Sequence, residues 1–561
     1  MISQMSDTNQ RPVRLPGIPV HLGRAGASRL RKAIAQASMR RQFLGPYLPL
    51  SQSLEWALAD LHWAQHGIEP FVDGSVPFRI NNDGRLAADA AGVLFANCVE
   101  AAPPEGPIGV AELGAGTGLF ARYFLDEFQI LCEREGKDFY NRLTFVVTDR
   151  SPRTVEQWRE YGIFTPHQSR VTTRVCHAHD LPDVLHNPLR AIFCNYLLDV
   201  LPAAILRRHE DGWRQLCQRA WIRDDAALLS QYTPLSFDEL RGLASVRDEP
   251  ATAQLAAVLP LIENDTEFFP VAPGALPRLA ELEDAAEGVA FVYNYAAAGC
   301  LERLLGKLNS AGFILISDYG AVADSAQRFG PSVAIGLNFP LFDRLLRARG
   351  AEVVAPPQDD EGKQHYRLVG HRKPAKTREE FERRFAATMC DEDEKTAAQA
   401  REMAENSRWR EALEAYRGAF GRNPRNWMLI SEAAEFVARC LRDHAAALEL
   451  ARAAVDLNPW YSSLTWNILG DVLLDCGEQR QAHEAYLQSE RIHPRDANTS
   501  LKLARSWRLM GNPERSLAAV GRGLANDTSA MLRHLLLEEQ QQSIATLSVR
   551  WHAEREIAAR R

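Results

Sequence analysis

Six polar side chains have the type and placement to do chemistry: Glu112, Asp149, Asp180, Asn195, Tyr196 and Asp199. The stretch IGVAELGAGTGLFARYFLDEF, from Ile108 to Phe128, shows where they would act. An apolar run reaches Glu112, glycines stand at alternate positions 114, 116 and 118 with Ala115 between the first two, and a helical pattern opens at Leu119. That is the βα unit of an open α/β sheet, with a ligand-sized gap above the strand's carboxyl end. Alternate glycines let backbone pack against a ligand where any Cβ would collide. The spacing is GxGxG, with Leu119 where a dinucleotide fold wants a small residue, and no Lys-Ser/Thr follows, so phosphate-cradling P-loop chemistry is excluded. Asp149 ends the β-branched run LTFVVTD, where such folds hydrogen-bond a ribose diol. Its distance from the glycines exceeds the usual separation of about 20 residues, so an extended helix or an insertion lies between. Asn195 sits at the carboxyl end of the apolar run Ile192 to Cys194. Asp199 follows within reach of the same opening, where it could accept a proton, hold a cation, or merely cap the next helix.

Positioning these groups takes a continuing α/β rhythm, and the chain supplies it. Helical patterns precede the glycine turn (LSQSLEWALADLHWAQHG and AADAAGVLFANCVEAA), separated by the loop-forming EPFVDGSVPFRINNDG. They read as a cap over the pocket or as an outer layer of the sheet. Residues 230–287 interrupt the rhythm, and the acids Asp238, Glu239, Glu263, Asp265 and Glu267 there could meet a basic substrate or form a solvated face. Asp318-Tyr319 ends a further strand, and Tyr366 to Val369 forms the last one. Nine scattered cysteines without a CxxC pair fit free thiols in a reducing compartment rather than a disulfide framework or a metal site. A net charge of −7 gives no reason to expect nucleic acid as partner. With no apolar run long enough to span a bilayer, the chain reads as cytoplasmic.

Glu112 and the glycines together resemble motif I of the class I S-adenosylmethionine (SAM) methyltransferases, ExGxGxG. The resemblance implies a phosphate-free cofactor, with Glu112 near its amino-acid end and the glycines and Ala115 beneath the sulfonium and ribose. Asp180, in Asp-Leu-Pro, resembles the element of that fold that places an acid by the adenine amino group; it could equally cap a helix. Asn195-Tyr196 is similar in part to the Asn/Asp-aromatic pair that orients an acceptor nitrogen in amino-group methyltransferases. NYLLDVLP further resembles the NEFFDALP signature of the MidA-type methyltransferases, relatives of the mitochondrial complex I assembly factor that methylates a protein arginine. TDRSPRTVEQW, GKLNSAGFILISDYG and LNFPLFDRLLRARG resemble that family's other segments, in order, over roughly Trp56 to Arg372. Two residues depart: Tyr196 stands where the family has Glu, and Asp149-Arg150 where it has Glu-Pro. The first removes a carboxylate that could pair with a guanidinium; the second keeps an acid for the ribose.

A charged stretch, 373–395, reads as a linker, and beyond it the sequence repeats. Pro424, Pro459 and Pro494 end units spaced by 35 residues, with Ala412, Ala447 and Ala482 twelve positions earlier and Ala419, Ala454 and Ser489 five positions earlier. Trp466, Leu469, Gly470, Gly477, Ala482 and Tyr486 match the tetratricopeptide pattern. A weaker fourth unit follows, then a capping helix.

The expected organisation is a basic, flexible arm at 1–45, where eight basic residues up to Arg41 face one acid, Asp7. Such an arm could alternatively be a transit peptide. An α/β class I methyltransferase (Rossmann-like) domain with helical insertions follows at 46–372. After the linker come an all-α tetratricopeptide-repeat solenoid at 396–528 and a cap at 529–561. The expected function is methyl transfer from SAM to a protein side-chain nitrogen, with the repeats binding the protein or peptide partner. The alternatives are an interaction scaffold without catalysis and a small-molecule methyltransferase.

Overall fold

The computed structural model describes residues 40–72, 83–103, 105–178, 188–282, 286–320, 327–329, 332–357, 359, 364–372, 374–386 and 388–560. Asp180 and residues 1–39 of the basic arm lie outside them. The described residues divide into two compact units, one drawn from 40–61 and 214–270 and the other from 62–213 and 271–560.

In the smaller unit, Arg41–Phe43 pairs antiparallel with Trp221 to Arg223, and strand Glu263–Pro270 pairs with the same strand from Arg214 to Trp221. The last residues of the expected flexible arm are therefore part of a sheet, held by backbone pairing and by the Arg41 guanidinium 4.5 Å over the Trp221 ring. A core of Leu44, Leu58, Leu240, Leu255 and Val258 lies beneath. Three of the acids that could have met a basic substrate are engaged here. Asp265 accepts from Arg41 at 2.7 Å, Glu239 closes a capping box with Ser236, and Asp238 pairs with Arg241.

The larger unit holds a seven-stranded sheet. Its strands are β1 (Ile108–Leu113), β2 (Leu143–Asp149), β3 (Val171–Val175), β4 (Leu189–Asn195), β5 (Leu308–Tyr319), β6 (Glu352–Val354) and β7 (Gln364–Gly370). They lie in the order β6-β7-β5-β4-β1-β2-β3, with β7 antiparallel to both of its neighbours. β1 and β4 are almost wholly buried, and β2 largely so, because the sheet is covered on both faces. One face packs on helices α1 (Arg85–Glu100) and α2 (Leu119–Arg134) through Leu94, Phe120, Phe124 and Phe193. The other packs on α3 (Tyr295–Leu305) and α4 (Phe339–Ala348) through Ile192, Leu301, Ile316 and Phe342. Strand order reverses between β1 and β4, and at such a switch point the carboxyl ends leave a crevice for a ligand. The long separation of Asp149 from the glycines is filled by α2 and a short helix, Phe139–Arg142.

The charged stretch expected to be a linker is largely helix. α5 (Ala375–Arg384) packs against the α/β domain, with Phe381 and Phe385 fully buried in its core and the Thr377 amide donating to Glu100 at 3.0 Å. Its charges are an outer face tied by pairs such as Arg378–Glu382, and the apolar residues four apart form the inward stripe. α6 (Thr388–Glu405) continues, so the expected boundary is corrected to helix.

Helices α7 (Trp409–Arg422), α8 (Trp427–Phe436), α9 (His444–Leu457), α10 (Ser463–Asp475), α11 (Gln479–Ile492), α12 (Ala497–Leu509), α13 (Pro513–Asn526) and α14 (Arg533–Arg560) follow. Ala412, Ala447, Ala482, Ala419, Ala454 and Ser489 are all fully buried, which is why the repeat keeps those positions small. A Cβ on Gly470 would fall 2.3 Å from the Tyr486 ring, the same constraint at the closest helix approach.

These helices share a core with the α/β domain. Trp427 and Tyr461 belong to the apolar cluster around Phe120, Phe124 and Phe128. We expect Trp427→Ala to cost about 3–5 kcal/mol, the usual range for a buried tryptophan. Urea melts followed separately in the β-sheet and helical signals check this; a loss confined to the helical signal would mean that the two parts fold independently.

Candidate active site

Glu112, Asp149, Asn195 and Asp318 are the last or the last but one residue of four adjacent strands, β1, β2, β4 and β5. Register sets them side by side: Glu112 opposes Phe193, and Asn195 opposes Ser317, the residue before Asp318. Between β1 and α2 the chain turns through three left-handed glycines, with φ of 62° at Gly114, 54° at Gly116 and 76° at Gly118. Side chains rarely adopt that region, so the alternate spacing is a backbone requirement as well as a steric one.

The turn is held from several directions. The Gly116 amide donates to Asp149 Oδ2 at 3.0 Å, and Asp149 Oδ1 accepts from the Ser151 amide at 2.9 Å. Trp158 Nε1 donates to the Gly116 carbonyl at 2.9 Å, and the Ala115 amide donates to the Thr148 carbonyl at 2.9 Å. Asp149 therefore braces the turn, a role that the ribose reading does not include. Burial pushes its carboxyl up, against the pull of the Ser151 and Gly116 amides.

Asn195 Nδ2 donates to Glu112 Oε1 at 3.3 Å. Burial pushes the Glu112 carboxyl well above the usual range, the bond from Asn195 opposing and the Asp149 charge adding to it. Tyr196 adopts φ 49°, a strained conformation for a residue with a side chain, and its ring centroid lies 4.9 Å from that of Tyr319.

Asp199 caps no helix, because the chain enters a turn after β4. It meets Asp318 instead. Asp318 Oδ2 accepts from the backbone amides of Leu198 at 2.9 Å and Asp199 at 3.3 Å, and its Oδ1 accepts from the Tyr319 amide at 2.8 Å. Burial pushes Asp199 up to about 6, and burial together with the Asp199 charge pushes Asp318 well up. Two adjacent buried carboxyls titrate as one unit, and ionising one opposes ionising the other.

Among the described residues, Glu112 Oε2, Asn195 Oδ1 and Asp199 Oδ1 are buried with no hydrogen-bond partner. Leaving such atoms unpaired costs free energy, so three of them at and just beyond the carboxyl ends of neighbouring strands suit a polar ligand. Asp318, Trp158 and Tyr461 were not among the sequence-derived candidates. The strand-end position of Asp318 could have signalled it; nothing local distinguishes Tyr461, which lies in the repeats.

Residues 91–338 match a family model described as "Putative S-adenosyl-L-methionine-dependent methyltransferase". The match spans Glu112, Asp149, Asn195, Asp199 and Asp318, and SAM is the cofactor of that family. No curated protein matches the chain. Solved structures resemble parts of it. A Burkholderia thailandensis protein described as a "likely methyl transferase", bound to S-adenosyl-homocysteine, is 18% identical over 60% of this chain and 81% of its own, with TM-score 0.37. A Thermus thermophilus tetratricopeptide protein is 19% identical over 28% of this chain and 88% of its own, with TM-score 0.25. The Pseudomonas aeruginosa protein pilF is 18% identical over 30% and 82%, with TM-score 0.23. At these TM-scores none of the three bears on the site.

Proposed function

We propose that the chain is a SAM-dependent methyltransferase of class I, Rossmann-like architecture and MidA-type kinship, acting on a side-chain nitrogen of a protein that the helical repeats recruit. The observation that carries this reading is the set of three partnerless buried oxygens, on Glu112, Asn195 and Asp199, beside a turn of left-handed glycines. The residues fit the cofactor: Glu112 offers a buried carboxylate oxygen to an ammonium, the glycine turn presents bare backbone, and Asp149 retains lone pairs for hydroxyls. When bound, SAM supplies a methyl group activated on sulfur.

The chain's own residues then have three tasks. Asn195 Oδ1 accepts an N–H from the acceptor and fixes the direction of the nitrogen lone pair. Asp199 Oδ1 takes the proton released as nitrogen bonds to the methyl carbon. Asp318, immobilised by three backbone amides, keeps Asp199 oriented. A scaffold that had lost catalysis is the second reading, favoured by Tyr196 in place of the family's Glu. That substitution removes only one carboxylate and leaves Asn195, Asp199 and Asp318 in place.

Glu112 makes the cofactor reading testable by pH. Its carboxyl is raised in the free protein, and an ammonium partner stabilises only the ionised form. SAM affinity is therefore expected to rise with pH as Glu112 deprotonates, and Glu112→Gln is expected to bind weakly with a flat profile. Calorimetric titration of both proteins with SAM between about pH 5 and 9 checks this. Binding by Glu112→Gln as tight as that of the parent would remove Glu112 from the site, and no binding by the parent would remove the cofactor. Incubation with labelled SAM and candidate basic proteins then tests transfer.

A further inference from the structure

Tyr461 lies between α9 and α10, in the loop that follows the second repeat proline, far along the chain from the glycine turn. Its hydroxyl nonetheless donates to the carbonyl of Thr117, the residue between Gly116 and Gly118, at 2.6 Å, and both residues are buried. We propose that Tyr461 is a positioning residue for the cofactor turn, so that the repeats complete the SAM site as well as recruiting a partner. This rests on the SAM reading above for its ligand, though not for its geometry.

Three features of the loop support the assignment. Asn458 Oδ1 accepts from the amides of Trp460 at 3.4 Å and Tyr461 at 3.2 Å, so the Asn-Pro that ends the repeat unit also fixes where Tyr461 starts. Trp466 Nε1 donates to the Pro459 carbonyl at 2.9 Å, tying the loop to the next helix. Trp460 Nε1 donates to the Tyr161 carbonyl at 2.9 Å, and the Tyr161 and Tyr461 rings meet edge to face with centroids 6.1 Å apart. The hydroxyl therefore comes from a loop anchored on both sides.

Its target matters as much as its anchoring. The turn's neighbouring polar groups are held from within the α/β domain, by Asp149 on the Gly116 amide and Trp158 on the Gly116 carbonyl. The Thr117 carbonyl is held by a residue of the repeats. A turn of three glycines has high conformational entropy when free, so each bond that fixes it makes the binding-competent form more populated. Whatever shifts the repeat loop must then shift SAM affinity, and SAM must shift the loop by the same free energy.

Tyr461→Phe keeps the ring and removes only the donor. It is compared with the parent and with Tyr123→Phe, which removes another hydroxyl bond to the repeats, Tyr123 to the Leu457 carbonyl at 2.9 Å, without touching the turn. Amide hydrogen exchange of the SAM-free proteins and calorimetric titration with SAM are read on each. The expected result is faster exchange at Gly116 to Leu119 and roughly tenfold weaker SAM binding in Tyr461→Phe alone. Equal effects in both variants, or a lower melting temperature in Tyr461→Phe with unchanged turn exchange and affinity, would overturn the proposal. If the parent bound no SAM, the cofactor reading would fall while the exchange data still decided whether Tyr461 holds the turn.

Discussion

Asp199→Asn is expected to lose methyl transfer by about a hundredfold or more while the protein becomes more stable at pH 8. The rate loss follows from removing the one oxygen of the Asp199–Asp318 pair that lacks a partner, and with it the proposed proton acceptor. The stability gain follows from linkage. The Asp199 carboxyl is near 4 when unfolded and is pushed up to about 6 by burial in the fold. The folded state therefore binds more protons than the unfolded one between those values. Stability is fully present below about pH 4, is lost as pH rises to about 6, and stays reduced above that. The asparagine never acquires the charge, and its Nδ2 can donate to an Asp318 oxygen. The advantage should thus appear across pH 4–6 and level off at about 2–3 kcal/mol. SAM affinity should stay close to that of the parent. Melting curves at pH 4 and pH 8, calorimetry and single-turnover transfer on one preparation separate these effects. A variant that keeps its rate removes Asp199 from the chemistry, and one that melts below the parent at pH 8 contradicts the charge argument.

Gly116→Val is expected to abolish SAM binding. A Cβ at this position meets the Phe71 ring at 3.2 Å, and the backbone φ of 54° is strained for any branched side chain. The Gly116 amide is also the group that Asp149 holds, so a shift of the turn to relieve the strain releases Asp149 as well. Gly136 provides the control: its φ is 60°, but nothing lies within 4 Å of a Cβ built there. Gly136→Val should carry backbone strain of similar size, about 1–2 kcal/mol, and bind SAM normally. Unchanged affinity in folded Gly116→Val would show that the cofactor does not use this turn.

The strand, the glycine turn and the helix after it were legible because they follow local rules. An apolar run, three alternate glycines and an amphipathic helix specify a strand, a left-handed turn and a helix, and the acids at 112 and 149 fall at strand ends by counting. The repeats were legible for the same reason, since small residues recur wherever helices approach most closely. What misled were segments whose meaning depends on distant partners. The stretch around Phe381 looks like a linker because its charges outnumber its apolar residues; two phenylalanines one turn apart suffice to bury it once a core stands opposite. Asp199 looked like a helix cap or a lone base, and only the neighbouring strand supplies Asp318.

The amino-acid sequence by itself determined the chemistry available: which side chains could act, that the turn must be bare backbone, and that the carboxyl-terminal part is built from repeats. Tertiary structure alone decided the pairings, bringing Asp318 to Asp199 across a separation of 119 residues and Tyr461 to Thr117 across 344. The physical reason is that a turn or a helix is encoded by neighbours in the chain, whereas the charge of a buried carboxyl and the rigidity of a glycine turn depend on which distant groups exclude water around them and fill their hydrogen bonds.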